Sequence, residues 1–169
     1  MTKTTTEHPM KPVFDFLRDD LYLPGFMTLL AANYDGREME FDFHPAEPRV
    51  TRISLEYFTP RGTHITLSQA GYCLVERTAE ERGIIQPGEL RGLLEGARLK
   101  IVELNQKFRR EVKLADVLRG RMQVTRFREG RIPTVQVKFD FANRGITGEM
   151  IGMIAPKATP QMNAEILRN

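Results

Sequence analysis

The period of apolar and polar positions changes several times along this chain, and each change marks an element. In VFDFLRDDLY, residues 13 to 22, apolar residues recur at helical spacing until Pro24 and Gly25 end the run, which predicts a short helix. The runs MTLLAANY and EMEFDFHP flank Asp35-Gly36, and Met39, Phe41 and Phe43 alternate with Glu40 and Asp42. That pattern predicts a hairpin closed by a type I′ turn. A further strand, RVTRISLEYF, runs to Thr59, and Pro60, Arg61 and Gly62 are expected to break it into a loop.

From Thr66 to Arg82 the period becomes helical. Leu67, Ala70, Gly71, Leu74 and Thr78 share one face, Thr66 or Ser68 can serve as N-cap, and Gly83 suits the C′ position. The small residues Ala70, Gly71 and Cys73 would let a sheet approach closely, as in a buried helix. A second short helix fits 88 to 97, after Pro87. Strand patterns then follow one another: RLKIVELNQKF, VLRGRMQVTRFRE, RIPTVQVKFDFAN and TGEMIGMIA, with turns at Glu129-Gly130 and Asn143-Arg144-Gly145. In VQVKFDF the alternation marks a sheet with one face buried and one wet. One long helix against one curved antiparallel sheet is an α+β layout.

Composition narrows this reading. The 169 residues, 41% hydrophobic and 28% charged, suit one folded domain. Residues 1–12 and 156–169 are polar and proline-bearing, so the domain is expected over 13–155 between two loose tails. No run of about 18 apolar residues predicts a membrane span, and MTKTTTEHPMKP has no apolar core of a secretory signal, so a cytoplasmic protein is expected. A single cysteine, Cys73, and three histidines without ligand-like spacing predict neither a disulfide nor a metal site, and no cofactor is expected.

The net charge of +3 is unevenly spread. From Arg91 to Arg131 there are twelve Lys or Arg against five Asp or Glu, an excess that suggests an anionic partner or a solvated basic strand face. Nucleic acid is not expected, because the chain has 8% aromatic residues, no tryptophan and no basic-faced helix or paired-aromatic sheet pattern.

The order of elements, together with Lys107-Phe108-Arg109-Arg110-Glu111-Val112-Lys113-Leu114-Ala115-Asp116, resembles the hot-dog fold, whose members act on acyl thioesters of coenzyme A or acyl carrier protein. Where that superfamily often has Pro-Gly-Asp after this phrase, only Asp116 remains. Within it the chain is most similar to the FcoT family of long-chain fatty acyl-CoA thioesterases. Tyr22 with Ala31-Ala32-Asn33-Tyr34, Tyr57 seven residues before His64, and Cys73 carry that likeness. Thr66 and Val75 stand where the family presents two asparagines.

The resemblance implies an acyl-thioesterase for medium or long chains, acting without a covalent intermediate. No Gly-x-Ser-x-Gly elbow or Ser-His-Asp pattern is present, and Cys73 lies mid-helix among apolar residues. The thioester carbonyl is expected at a helix N-terminus over Thr66 to Ala70, with Thr66, Ser68 and Gln69 as donors. Tyr57, His64, Glu76, Tyr22 and Tyr72 are the candidates to order water or move a proton, and Lys107, Arg109 and Arg110 are candidates for phosphates or an acidic carrier. Strand alternation separates Lys107 and Arg109 from Arg110. A dehydratase dyad of histidine and helix acid is matched in no register, so a lyase or conjugate-addition enzyme on 2-enoyl or 3-hydroxyacyl thioesters stands as the alternative, with a non-catalytic acyl-binding subunit behind it. A homodimer paired through sheet edges is expected, because one sheet covers a single helix on one side only.

Overall fold

The computed structural model describes residues 11–23, 26–44, 59–113 and 117–155. The predicted third strand lies outside them except for its last residue, as does Tyr57.

Six strands form one antiparallel sheet: β1 (Leu29–Tyr34), β2 (Glu38–Phe43), β3 (Leu99–Phe108), β4 (Leu118–Arg128), β5 (Thr134–Phe141) and β6 (Ile146–Ile154). Their order across the sheet is β1-β2-β4-β5-β6-β3, so the strand after the long helix crosses to the far edge. The helix itself, α2 (Pro60–Glu81), runs 22 residues, and two shorter helices, α1 (Lys11–Phe16) and α3 (Leu90–Glu95), flank it in sequence. One long helix on a six-stranded antiparallel sheet is the α+β hot-dog fold.

Alternation decides the inner face. On β5, Val135, Val137, Phe139 and Phe141 are buried, and Met122, Ile146 and Met150 continue that layer on the neighbouring strands. Gly120 lies in register between Phe41 of β2 and Phe141 of β5. A side chain on Gly120 would run into both rings. Its absence lets them meet edge to face, 5.5 Å apart at 85°, an arrangement that aromatic quadrupoles favour.

Three local expectations are corrected. Pro60, Arg61 and Gly62 do not form a loop but open α2, with Thr59 as the N-cap whose hydroxyl accepts from the Gly62 N–H at 3.3 Å. Proline suits this first turn because its missing N–H would have had no helical partner. The first helix is also shorter than the pattern implies: α1 ends at Phe16 and a π-helical turn carries the chain over Leu17–Leu21. The hairpin turn is not type I′, since Gly36 takes φ +96° while neither neighbour has positive φ. The Asp35 carboxylate closes it instead, accepting from the Arg37 and Glu38 amides at 3.2 and 2.9 Å. At the other end of α2 the expectation holds: Gly83 adopts φ +66°, and Ile84 donates back to Ala79.

Fourteen residues of α2 are buried in the single chain. The helix is therefore covered on more than its sheet side, contrary to the expectation. Val13 and Leu17 from the N-terminal segment, with Leu90 and Leu93 from α3, belong to the same core. No helix among the described residues is long and apolar enough to cross a membrane.

Candidate functional site

The N-terminus of α2 differs from the one expected. Thr66 to Ala70 lie in the helix interior, where each amide is engaged by the carbonyl four residues earlier and none is free for an oxyanion. His64 is exposed on the second turn, and its carbonyl accepts from the Ser68 hydroxyl at 2.9 Å. Ser68 is thus tied to its own helix.

Thr66 and Gln69 are buried and serve a clamp. The Gln69 Oε1 accepts from the Thr28 amide at 2.9 Å, the Thr28 hydroxyl at 2.8 Å and the Leu29 amide at 3.1 Å. Its Nε2 donates to the Phe26 carbonyl at 2.7 Å, and the Thr66 and Thr28 hydroxyls lie 3.2 Å apart. One side chain thereby satisfies the backbone at the point where the chain enters β1. The strand pattern includes Thr28 in MTLLAANY but gives no sign of this clamp, because its partners Thr66 and Gln69 lie about forty residues away.

Farther along the same helix face are Cys73 and Glu76. Cys73 is fully buried, and desolvation with the nearby Glu76 charge pushes its thiol well above the ordinary range, so no thiolate nucleophile forms there. Tyr22, partly buried beyond the π-turn, is raised by burial and then by Tyr72 and Cys73. Tyr72 is raised by burial as well. Tyr22 thus lies near Tyr72 and Cys73, and Cys73 in turn near Glu76.

Glu76 is 2% exposed, and its Oε2 has no hydrogen-bond partner among the described residues. Desolvation and then the Glu80 charge push its carboxyl from 4.5 up to about 7, opposed by Arg77 and by a hydrogen bond from the Leu90 backbone. Arg77 pairs with Glu80 at 2.8 Å. Glu76 borders a cavity of about 330 Å³ between α2, the N-terminal segment and α3. Val13, Phe16 and Leu90 supply apolar wall, while Asp19, Asp20 and Arg91 line it with charge. Arg91 bonds Asp20 at 3.3 Å and Glu95 at 2.8 Å. The only sequence hint of this wall is the Arg91/Glu95 spacing on α3. No group of three or more His, Cys, Asp or Glu among the described residues gathers as metal ligands would.

Separation along α2 decides what cannot act together. His64 and Glu76 are twelve residues apart, roughly 18 Å along the axis, so within one chain they form no dyad. Lys107 and Arg109 line a groove on the outer face of the sheet, away from Glu76. Arg110 turns from them and donates to the Ala142 carbonyl at 3.0 Å.

No family profile matches the sequence, and no curated protein matches it. Solved structures do share the fold. The "putative thioesterase" of Shewanella oneidensis superposes with a TM-score of 0.60 at 11% identity, covering 87% of this chain and 97% of its own. The "putative thioesterase" of Syntrophus aciditrophicus gives 0.60 at 10% identity over 86% of this chain and 95% of its own. A chain of the dehydratase heterocomplex ApeI:P of Xenorhabdus doucetiae gives 0.51 at 10% identity, covering 94% and 98%. At such identities the likeness establishes the hot-dog fold and leaves the chemistry to the residues.

Proposed function

We propose that this chain is an acyl-thioester hydrolase in which Glu76 is the general base. The observation that carries the reading is buried Glu76, with one carboxylate oxygen unpartnered among the described residues, on the wall of a cavity beside the central helix. The shared fold with two chains named as thioesterases supports the reaction class.

A carboxylate whose pKa lies near 7 is matched to proton transfer at neutral pH. Ionised Glu76 takes a proton from water as the oxygen attacks the thioester carbonyl; the carbon–sulfur bond then breaks, and the departing thiolate takes up a proton. Acid and thiol are the products. A covalent route through Cys73 is disfavoured, since its thiol resists ionisation. The cavity volume is at the low end for small-molecule sites. It suits the reacting end of a medium acyl chain. The carrier, coenzyme A or acyl carrier protein, stays outside it.

Pairing of two copies through β3 is part of the proposal. β3 is an outermost strand of the sheet and exposes Val102 and Phe108. Light scattering that returns the mass of one chain refutes the dimer.

The deciding experiment incubates the protein with saturated, 2-enoyl and 3-hydroxyacyl thioesters of both carriers, following free thiol and product mass. Thiol release is the expected result. A mass change with the thioester intact replaces hydrolysis by lyase or dehydratase chemistry, and silence on every substrate refutes the enzyme.

A further inference from the structure

The outer face of the sheet changes character toward the β4–β5 hairpin. Val135 and Ile154 are buried on the inner face, so alternation turns Thr134 and Met153 outward. Register then sets one row across four strands: Arg128 beside Thr134, Thr134 beside Met153, and Met153 beside Lys100. In the next row Arg126 lies beside Gln136, and Gln136 beside Ile151. Lys100, Arg126 and Arg128 are exposed, and Ile151 and Met153 between them are partly exposed.

The hairpin tip extends this surface. Arg131 and Ile132 follow Gly130 there; Arg131 is exposed and Ile132 is 48% exposed. One exposed aliphatic side chain is ordinary, but here three apolar side chains share a surface with four cations. The ion pairs of the outer face lie elsewhere, where Arg119, Arg121 and Lys138 meet carboxylates. Lys100, Arg126, Arg128 and Arg131 have no ion pair among the described residues. Of the carboxylates beside them, Glu129 meets Arg82 at 3.6 Å, and Glu103, at the β3 margin, accepts from the Asn105 side chain at 2.7 Å. Four cations therefore outweigh the one carboxylate that no cation offsets.

We infer that this surface docks reversibly on an anionic lipid bilayer, with Ile132 entering the headgroup region and Lys100, Arg126, Arg128 and Arg131 meeting lipid phosphates. A bilayer is charged at its surface and apolar beneath, and cations around a small apolar centre match that order. An acidic protein would also meet the cations. Ile132, however, stands on a turn and finds its match in a partner that yields around it, as lipid does. With one short aliphatic anchor, docking needs both signals and is lost when salt screens the cations. The surface lies across the sheet from α2, and it does not depend on the Glu76 reading.

Co-sedimentation of the full chain tests it with vesicles of phosphatidylcholine alone and of phosphatidylcholine with one-third phosphatidylglycerol, at low salt and at about 0.5 M salt. The chain should sediment with the anionic vesicles only and return to solution at high salt. Arg128→Gln and Arg131→Gln should each weaken the partition about fivefold, and Ile132→Ser about threefold. Arg119→Gln makes the same change in net charge at the other end of β4, where Asp42 already meets the guanidinium at 3.0 Å, and should alter it less than about twofold. Absence of binding to anionic vesicles, equal partition into neutral ones, or a loss in Arg119→Gln as large as in Arg128→Gln overturns the inference. So does an unchanged Ile132→Ser variant, which leaves adsorption by charge alone. A chain that ignores vesicles but binds poly-glutamate docks on acidic protein instead, which equally overturns it. Thiol release does not enter the result.

Discussion

The molecule has two polar surfaces on one scaffold, and they obey opposite electrostatic rules. Along α2, beneath the N-terminal segment, Gln69, Cys73 and Glu76 form a buried stripe. Across the outside of the sheet, Arg119, Arg121 and Lys138 pair with Asp42, Glu38, Glu40 and Glu149 in the open. Outside, charges are many and each pair contributes little, because water screens them. Inside, charges are few, and a polar side chain either finds buried partners, as Gln69 does, or leaves an oxygen unpartnered among the described residues, as Glu76 does. Depth, not charge count, sets the energetic weight.

Gln69→Leu is the most severe way to break this comparison. It leaves the Phe26 carbonyl and the Thr28 and Leu29 amides without their buried partner. The expected loss is about 3 kcal/mol, read as a lower denaturation midpoint in urea. A drop below about 1 kcal/mol would mean that water replaces the amide and the stripe is not dry.

Glu76→Gln should reduce thioester turnover at least about a hundredfold, near 2.7 kcal/mol of transition-state stabilisation. Because the base must be ionised, wild-type kcat/KM should rise with pH through about 7 and then level. His64→Ala should leave turnover within about twofold, since His64 is roughly 18 Å along the helix from Glu76. A loss of tenfold or more there would move the chemistry to the N-terminus of α2.

The same Glu76→Gln variant sharpens the contrast through stability. Burial raises the folded-state pKa from 4.5 to about 7, so between those values the folded chain holds a proton that the unfolded chain has released. The resulting stabilisation is fully present below the unfolded value and disappears as pH rises through the folded one. Glutamine, uncharged throughout, should therefore match wild type near pH 4 and exceed it near pH 8 by about 2 kcal/mol. Equal differences between the two proteins at both pH values would show that folding leaves the carboxyl pKa at its ordinary value.

The mildest variant tests the exposed side. Arg121→Ala removes contacts to Glu38 and Glu40 but should shift stability by less than about 1 kcal/mol.

Much of this fold is legible in the chain. The alternation Val135, Val137, Phe139, Phe141 assigns β5 and its inner face, and the three- and four-residue spacing of Leu67, Ala70, Gly71 and Leu74 assigns the central helix. Period and side-chain size are local properties, so no partner is needed to read them. Gly83 as helix stop and the separation of Arg110 from Lys107 and Arg109 are local in the same sense. The start of α2 is not legible in the same way, because proline both breaks chains and opens helices, and only the Thr59 cap decides between the two.

The site was a matter of tertiary structure. Sequence alone named Glu76 as one of several carboxylates and tyrosines able to move a proton. That burial raises its pKa depends on the fold, which sets Glu76 on one cavity wall with Val13 and Phe16 of the N-terminal segment and Leu90 of α3. Likewise Gln69 reads as one more helix residue until Phe26, Thr28 and Leu29 arrive at its amide. The basic excess between Arg91 and Arg131 is visible in composition, but register across the sheet decides which of its cations meet carboxylates, as Arg119 meets Asp42 and Arg121 meets Glu38 and Glu40. Desolvation and pairing depend on three-dimensional neighbours, and the spacing of residues along the chain does not contain them.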